Sequence, residues 1–220
     1  MIITSKAMNL DEGPARHSPR RGRQNFIVYF PSLKNGRSME CESVLESAYC
    51  IWLEHDPQVV RYYTQPHTFT WTDDGQHYRY TPDFLVVLTH GDSYFTEVKL
   101  DFSKQRQSRL ATLDSFHALC LQEGWTFKRL DQQHITGSTR FHTLQALYSR
   151  SSTHTEQRQE YFYHYVKQRK WPTTLGDLIQ DDAAPDTGTI FYNLFTRRLR
   201  ADLTQRLTLD LVVNWEHSHA

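Results

Sequence analysis

The chain has 220 residues, with 25 basic and 25 acidic side chains that cancel to a formal net charge of +0. Such a balance argues against a protein that grips nucleic acid mainly by net positive charge, and it leaves a local basic surface or recruitment by a partner open. The longest strongly apolar run, Phe84 to Leu88, is too short to cross a bilayer. The start of the chain has no apolar stretch of the secretory kind, and three cysteines, Cys41, Cys50 and Cys120, give neither a disulfide framework nor a Cys-rich zinc pattern. A soluble, intracellular protein is expected.

Residues 1–23 are polar and end in Pro19-Arg20-Arg21-Gly22-Arg23, the composition of a disordered basic tail or of an arm that folds against DNA or a partner. Asn25 to Phe30 is rich in β-branched and aromatic residues and is interrupted by Pro31, so a short strand is expected there. From Ser43 to Glu54 the apolar positions recur at helical spacing. Ser43 is placed as the N-cap, Glu46 falls at the third helical position, and Asp56-Pro57 stops the helix. Strand-like runs follow at Val59–Thr64, at His67–Thr72, and at His77–Leu88 beyond the turn Asp73-Asp74-Gly75. A second turn, His90-Gly91-Asp92, leads into Ser93–Leu100. Lys104–Gln122 reads as a helix ended by Glu123-Gly124, Trp125–Leu130 as a strand, and Phe141–Tyr148 as a short helix. The polar stretch Ser149–Thr155 reads as a linker. Beyond it come helical segments at Glu156–Lys170, Thr174–Ile179 and Thr189–Leu203, then a strand-like run at Leu207–Trp215, the makings of a small winged-helix-like unit. The expected division is therefore a tail (1–23), a first domain (24–150) and a C-terminal helical domain (151–220).

The chemistry concentrates in Tyr80-Thr81-Pro82-Asp83-Phe84 and Phe95-Thr96-Glu97-Val98-Lys99. Side chains on a strand alternate faces, so Glu97 and Lys99 share one side while Val98 takes the other. A three-residue loop at His90-Gly91-Asp92 would pair Thr89 with Ser93 and set Asp83 opposite Lys99. A slip by one residue would scatter the set over both faces. Two carboxylates on adjacent strands form a hard oxygen site suited to Mg²⁺ or Mn²⁺. A lysine beside them can orient water or stabilise a pentavalent phosphorus centre. Glu46 on the preceding helix is a third candidate carboxylate, with Glu42 as its neighbour and rival. Taken singly, such charges are the ordinary dress of a solvated hairpin. Together they make a PD…ExK signature of a metal-dependent nuclease.

Five blocks occur in one order: Ser43-Val44-Leu45-Glu46, Leu53-Glu54-His55-Asp56-Pro57-Gln58-Val59, Tyr63-Thr64-Gln65-Pro66, Tyr80-Thr81-Pro82-Asp83-Phe84 and Glu97-Val98-Lys99. That order resembles the TnsA endonuclease subunit of heteromeric bacterial transposases, over about residues 25–150, with a C-terminal segment of fitting size and helical character. The resemblance implies an α/β fold of restriction-endonuclease-like (PD-(D/E)xK) type: a mixed sheet flanked by helices with the site at a sheet edge. It implies a Mg²⁺-dependent enzyme (Mn²⁺ substituting) that cleaves the 5′ ends of a transposon. TnsB-like transposase, a TnsC-like AAA+ regulator at the C-terminal domain, transposon-end DNA and a bacterial cytoplasm would complete the picture, with no membrane. Carried over by residue, Glu46, Asp83, Glu97 and the Val98 backbone carbonyl would be metal ligands, and Lys99 the basic residue. Glu97 stands where some members carry glutamine, and glutamate is the better ligand.

A charge-balanced nuclease is expected to bind DNA weakly alone and to depend on its complex for placement. Lys104, Arg106 and Arg109, at the start of the helix after Lys99, are candidates for phosphate contacts or simply a solvated face. His77, His90, His134 and His142 lack ligand spacing. Arg197, Arg198 and Arg200, read on the Thr189–Leu203 helix, could enter a groove, face a partner or face solvent. Tyr161, Phe162, Tyr163 and Tyr165 read as core or interface. Two rival readings are a stand-alone restriction or repair nuclease and a non-catalytic DNA-binding assembly subunit.

Overall fold

The computed structural model describes residues 27–151 and 155–216. The N-terminal tail, with its expected arm, lies outside the described residues, as does the middle of the expected linker. The chain forms two units, 1–135 and 136–220.

The first unit opens with a hairpin, β1 (Val28–Ser32) and β2 (Arg37–Cys41), packed on helix α1 (Val44–His55). The helix begins and ends where its local signals put it. The Ser43 hydroxyl accepts the Glu46 N–H, and Asp56 caps the end. Buried Glu54 ties the hairpin to the helix. Its carboxylate accepts from Ser32 Oγ (2.5 Å), Tyr62 OH (2.7 Å) and the Lys34 N–H (3.1 Å).

Strand β3 (Val59–Thr64) enters a four-stranded sheet, whereas β4 (Phe69–Asp73) and β5 (Gln76–Tyr80) form a separate ribbon. Asp74 and Gly75 both take positive φ, 45° and 75°, at the tip of that ribbon. This is the backbone a two-residue hairpin turn demands, and it explains the Asp-Gly pair. The expected continuous strand from His77 to Leu88 does not form. The chain leaves the ribbon after Tyr80, passes through Thr81-Pro82-Asp83, and joins the sheet as β6 (Phe84–Leu88). Pro82 has no N–H to give a ladder, so the exchange of partners falls there.

Strand β7 (Ser93–Lys99) pairs antiparallel with β6, and β8 (Thr126–Asp131) parallel with β7, giving the order β3-β6-β7-β8. A parallel neighbour needs a crossover. Here a short 3₁₀ turn (Phe102–Lys104) and helix α2 (Gln107–Gln122) supply it. The β6–β7 loop has three residues, as expected, but they are Thr89-His90-Gly91, with Leu88 N–H bonding Asp92 O at 2.8 Å and Gly91 at φ +86°. Val87 therefore pairs with Ser93 and Phe84 with Thr96. The register lies two residues from the expected one, which corrects the Asp83–Lys99 pairing yet leaves every side chain on its expected face.

On one face of the sheet α1 packs through Tyr49, whose ring meets Phe84 edge-on at 5.2 Å. On the other, α2 and the β4–β5 ribbon enclose an aromatic core of Phe69, Trp71, Tyr80, Phe95, Phe116 and Phe127. Trp71 Nε1 donates to Ser115 Oγ (2.9 Å) and locks the ribbon to α2. Strand β8 runs into a short helix, α3 (Gln132–Thr136), which the sequence pattern did not announce. The Ile135 carbonyl accepts from Trp52 Nε1 at 2.8 Å. The unit is thus a mixed sheet flanked by helices.

The second unit holds α4 (Thr139–Arg150), α5 (Glu156–Gln168), β9 (Thr173–Thr174), α6 (Leu175–Gln180), α7 (Thr187–Phe195), β10 (Arg200–Ala201) and β11 (Val212–Asn214). Helix α4 packs on α7, with Tyr148 and Phe195 rings 5.1 Å apart. It belongs to this unit and not to a 24–150 domain, so the boundary falls before α4 and not at the polar linker. The three short strands form an antiparallel sheet in the order β10-β11-β9.

The expected helix to Leu203 stops at Phe195. Arg197 takes φ 66°, and the Leu199 N–H turns back to Asn193 O at 2.9 Å. Arg197, Arg198 and Arg200 therefore do not line a helix. Arg198 bonds Gln159 (3.3 Å), and Arg200, in β10, pairs with Glu216 (3.1 Å). Phe162 and Tyr165 are core, while Tyr161 and Tyr163 are exposed.

Candidate active site

Asp83, Glu97 and Lys99 meet where β6 begins and β7 ends. Lys99 Nζ is the centre of the arrangement. It lies 3.2 Å from Asp83 Oδ2, 2.9 Å from Glu97 Oε1 and 2.8 Å from the Val98 carbonyl oxygen. The extended backbone makes this possible. Glu97 and Lys99 stand on one face, and Val98 between them offers both its N–H and its C=O to the strand edge. Its N–H donates to Asp83 Oδ2 at 2.8 Å.

Asp83 is itself fixed from β3, since the Gln65 N–H donates to the Asp83 carbonyl oxygen at 2.9 Å. Gln65 is buried and holds φ 42°, a left-handed conformation that a side chain of this length adopts only when its surroundings impose it. The Tyr63-Thr64-Gln65-Pro66 block thus does local work: it anchors the turn that presents Asp83.

The electrostatics follow from burial and neighbours. Burial, then the Glu97 charge, pushes the Asp83 carboxyl well above its ordinary range. Burial alone would raise Glu97 too, but Lys99, Arg109 and the Tyr80 hydroxyl hold it below. For Lys99 burial favours the neutral amine, and the two carboxylates outweigh it, so the group is held as an ammonium. Burial also pushes the Tyr80 hydroxyl well up, with Glu97 adding to it.

Glu46 borders this group without joining it. Its carboxylate accepts the Glu42 N–H (2.7 Å) and the Ser43 hydroxyl (3.1 Å) at the start of α1. Burial raises its carboxyl, opposed chiefly by that Glu42 bond and the Lys99 charge. The structure therefore gathers two of the three expected carboxylates with the Val98 carbonyl, and it leaves Glu46 outside their hydrogen bonds. Among the described residues, no three His, Cys, Asp or Glu side chains converge as a ligand set. Glu42, the rival of Glu46, engages only through its backbone N–H in this contact.

Whether these atoms suit a divalent cation is answered by what they already hold. Two carboxylate oxygens and one carbonyl oxygen converge on a single positive charge, the Lys99 ammonium. All three are hard oxygen donors of the kind Mg²⁺ and Mn²⁺ take. The donor set fits.

Of the three expected DNA-contacting cations, Lys104 is exposed and pairs with Asp101 (3.4 Å), and Arg106 is exposed. Arg109 turns inward and donates to Glu97 Oε1 at 2.6 Å. Its guanidinium lies 5.0 Å from the centre of the Tyr80 ring, and the Tyr80 hydroxyl donates to Glu97 Oε2 at 2.6 Å. Neither contact was visible in the sequence. Arg109 arrives across the crossover and Tyr80 from the ribbon, and no spacing rule connects them to Glu97. His77 and His134 bond Thr72 and Asp131, and the three cysteines are free thiols. No helix among the described residues is long and apolar enough to cross a membrane.

Residues 56–132 match the family model of the TnsA-like endonuclease N-terminal domain. The matched span contains Asp83, Glu97, Val98, Lys99 and Arg109, and it begins after Glu46. No curated protein matches the chain.

Proposed function

We propose, from a chain whose residues 56–132 are a TnsA-like endonuclease N-terminal domain, that this protein is the Mg²⁺-dependent subunit that nicks the 5′ ends of a transposon during cut-and-paste transposition. The observation that carries the reading is the convergence of Asp83 Oδ2, Glu97 Oε1 and the Val98 carbonyl on one positive charge. Those three oxygens would hold the cation, with Glu46 adding negative charge from α1. A bound Mg²⁺ supplies a water of lowered pKa and offsets charge on the phosphate.

The residues of the chain do the rest. Asp83 and Glu97 draw the positive groups of the site to one point. Lys99, released from that point to the phosphate side, stabilises the oxyanion that develops at phosphorus, an interaction worth most in a water-poor site. Gln65 keeps the turn bearing Asp83 in place. The neutral net charge supports delivery to DNA by partners, as in a TnsB- and TnsC-type assembly in the bacterial cytoplasm. In the second unit the order helix, strand, helix, helix, strand, strand from α5 to β11 supports a winged-helix reading, and contact with the TnsC-like partner is proposed from the family resemblance alone.

The test is strand-resolved cleavage of a transposon-end duplex in Mg²⁺, with and without the partner proteins. Nicking confined to the 5′ strand, dependent on the partners and abolished by EDTA, is the expected result. Cleavage that needs no partner would make the protein a stand-alone nuclease, and cleavage that survives EDTA would remove the cation from the account.

A further inference from the structure

Glu97 Oε1 accepts from two cations at once, Lys99 Nζ at 2.9 Å and Arg109 Nη2 at 2.6 Å. The other oxygen, Oε2, takes the neutral Tyr80 hydroxyl. An oxygen already shared by two positive groups is a poor ligand for a third, so a divalent cation that takes the place of Lys99 still meets Arg109 there. Lys99 is tied to three oxygens, with its side chain 25% exposed. Arg109 has Glu97 as its one ion-pair partner among the described residues and is 36% exposed. It follows exposed Arg106, the N-cap of α2, by three residues. Arg109 is thus a second cation that has to leave Oε1, and it is the more exposed and less tied of the two. Its planar fork suits a phosphate as well as a carboxylate, and DNA brings phosphates to this edge.

We propose that Arg109 guards the cation site: its guanidinium neutralises Glu97 in the absence of DNA and transfers to a backbone phosphate when duplex binds, so that DNA and divalent-cation binding are positively coupled through this one side chain. The proposal rests on the nuclease reading given above. Coupling of this kind is reciprocal, and its usual size is about 5- to 150-fold in affinity.

The experiment is Mn²⁺ binding to the full-length protein, read from the free-ion electron paramagnetic resonance signal. Wild type, Arg109→Gln, Arg109→Lys and Asp83→Asn are compared with and without a saturating short duplex at low salt. Without DNA, Arg109→Gln is expected to bind Mn²⁺ about tenfold tighter than wild type, and Arg109→Lys, which keeps the charge, close to wild type. Duplex is expected to tighten Mn²⁺ binding by wild type about tenfold more than by Arg109→Gln. Arg109→Gln should at the same time nick more slowly, having lost its phosphate contact. Tighter cation binding with weaker cleavage is a pair of signs that misfolding does not produce. Wild-type affinity for Mn²⁺ that duplex leaves unchanged, or equal tightening of wild type and Arg109→Gln, would overturn the proposal. Equal binding by wild type and Asp83→Asn would instead strike the cation reading beneath it.

Discussion

Asp83→Asn is expected to lower 5′-strand nicking about 10³-fold while leaving the folded protein and its assembly with partners intact. The substitution keeps an oxygen to accept the Val98 N–H, now at 2.8 Å from Oδ2, and removes the charge. The site then loses one of the two carboxylates that share the Lys99 ammonium. A cation contributing several kcal/mol to transition-state stabilisation depends on that charge, and about 4 kcal/mol corresponds to about 10³-fold in rate. Stability should not fall with activity. Asn keeps an acceptor for the Val98 N–H and relieves the burial and Glu97 charge that disfavour ionised Asp83, which offsets the lost attraction to Lys99. A strand-resolved nicking assay beside far-UV circular dichroism separates the two effects. Nicking within about threefold of wild type would contradict the assignment; a fully active variant would leave only a non-catalytic assembly role.

Phe116→Ala is expected to cost about 4 kcal/mol of stability, the range for deleting a buried aromatic ring. Phe116 is fully buried at the hub of the aromatic core, with Tyr80 at 4.6 Å, Phe127 at 5.1 Å, Phe69 at 5.2 Å, Trp71 at 5.8 Å and Phe95 at 5.9 Å between ring centres. These rings come from the ribbon and from strands β7 and β8 of the sheet, so no single neighbour can move in to fill the space. The loss should appear as a drop in melting temperature of about 12 °C. It also reaches the site, because Tyr80 is wedged between Phe116 and Glu97. A loss below about 1 kcal/mol in urea titration would mean that the core is not organised around this ring.

The features legible in the sequence are those with local causes. The α1 helix is bounded by Ser43, Glu46 and Asp56-Pro57, all within one turn of its ends, and the structure uses them so. The placement of Asp83, Glu97 and Lys99 on one side needed only the two-residue period of a strand and a loop of the right parity. Sliding that loop back by one residue moved the pairing by two, which the face assignment survives.

What stayed hidden depends on contacts between distant segments. Arg109 looked like one more surface cation of an amphipathic helix. Only the β7–α2–β8 crossover turns it onto Glu97. Tyr80 reads as part of a continuous strand: Pro82 is a local mark of a break in the ladder, but nothing nearby says which strands pair on either side of it. The motif places Glu46 in the cluster, yet the Glu42 N–H just before its helix and the Ser43 hydroxyl hold its carboxylate. The end of α7 carries no sequence mark, because Arg197 takes a left-handed conformation without being glycine and the usual stop signal is missing. Helix α4 has a clear apolar face in Phe141, Leu144 and Leu147, but an apolar face does not name the partner that covers it.

The oxygens now gathered around one ammonium are proposed to be the ones that take a divalent cation. Crystals of the full-length protein soaked in Mn²⁺ and measured at the manganese absorption edge decide this. The predicted result is an anomalous peak bounded by Asp83 Oδ2, a Glu97 carboxylate oxygen and the Val98 carbonyl, with Lys99 displaced from their midst. A featureless map there, with Lys99 still bridging both carboxylates at saturating Mn²⁺, would contradict it.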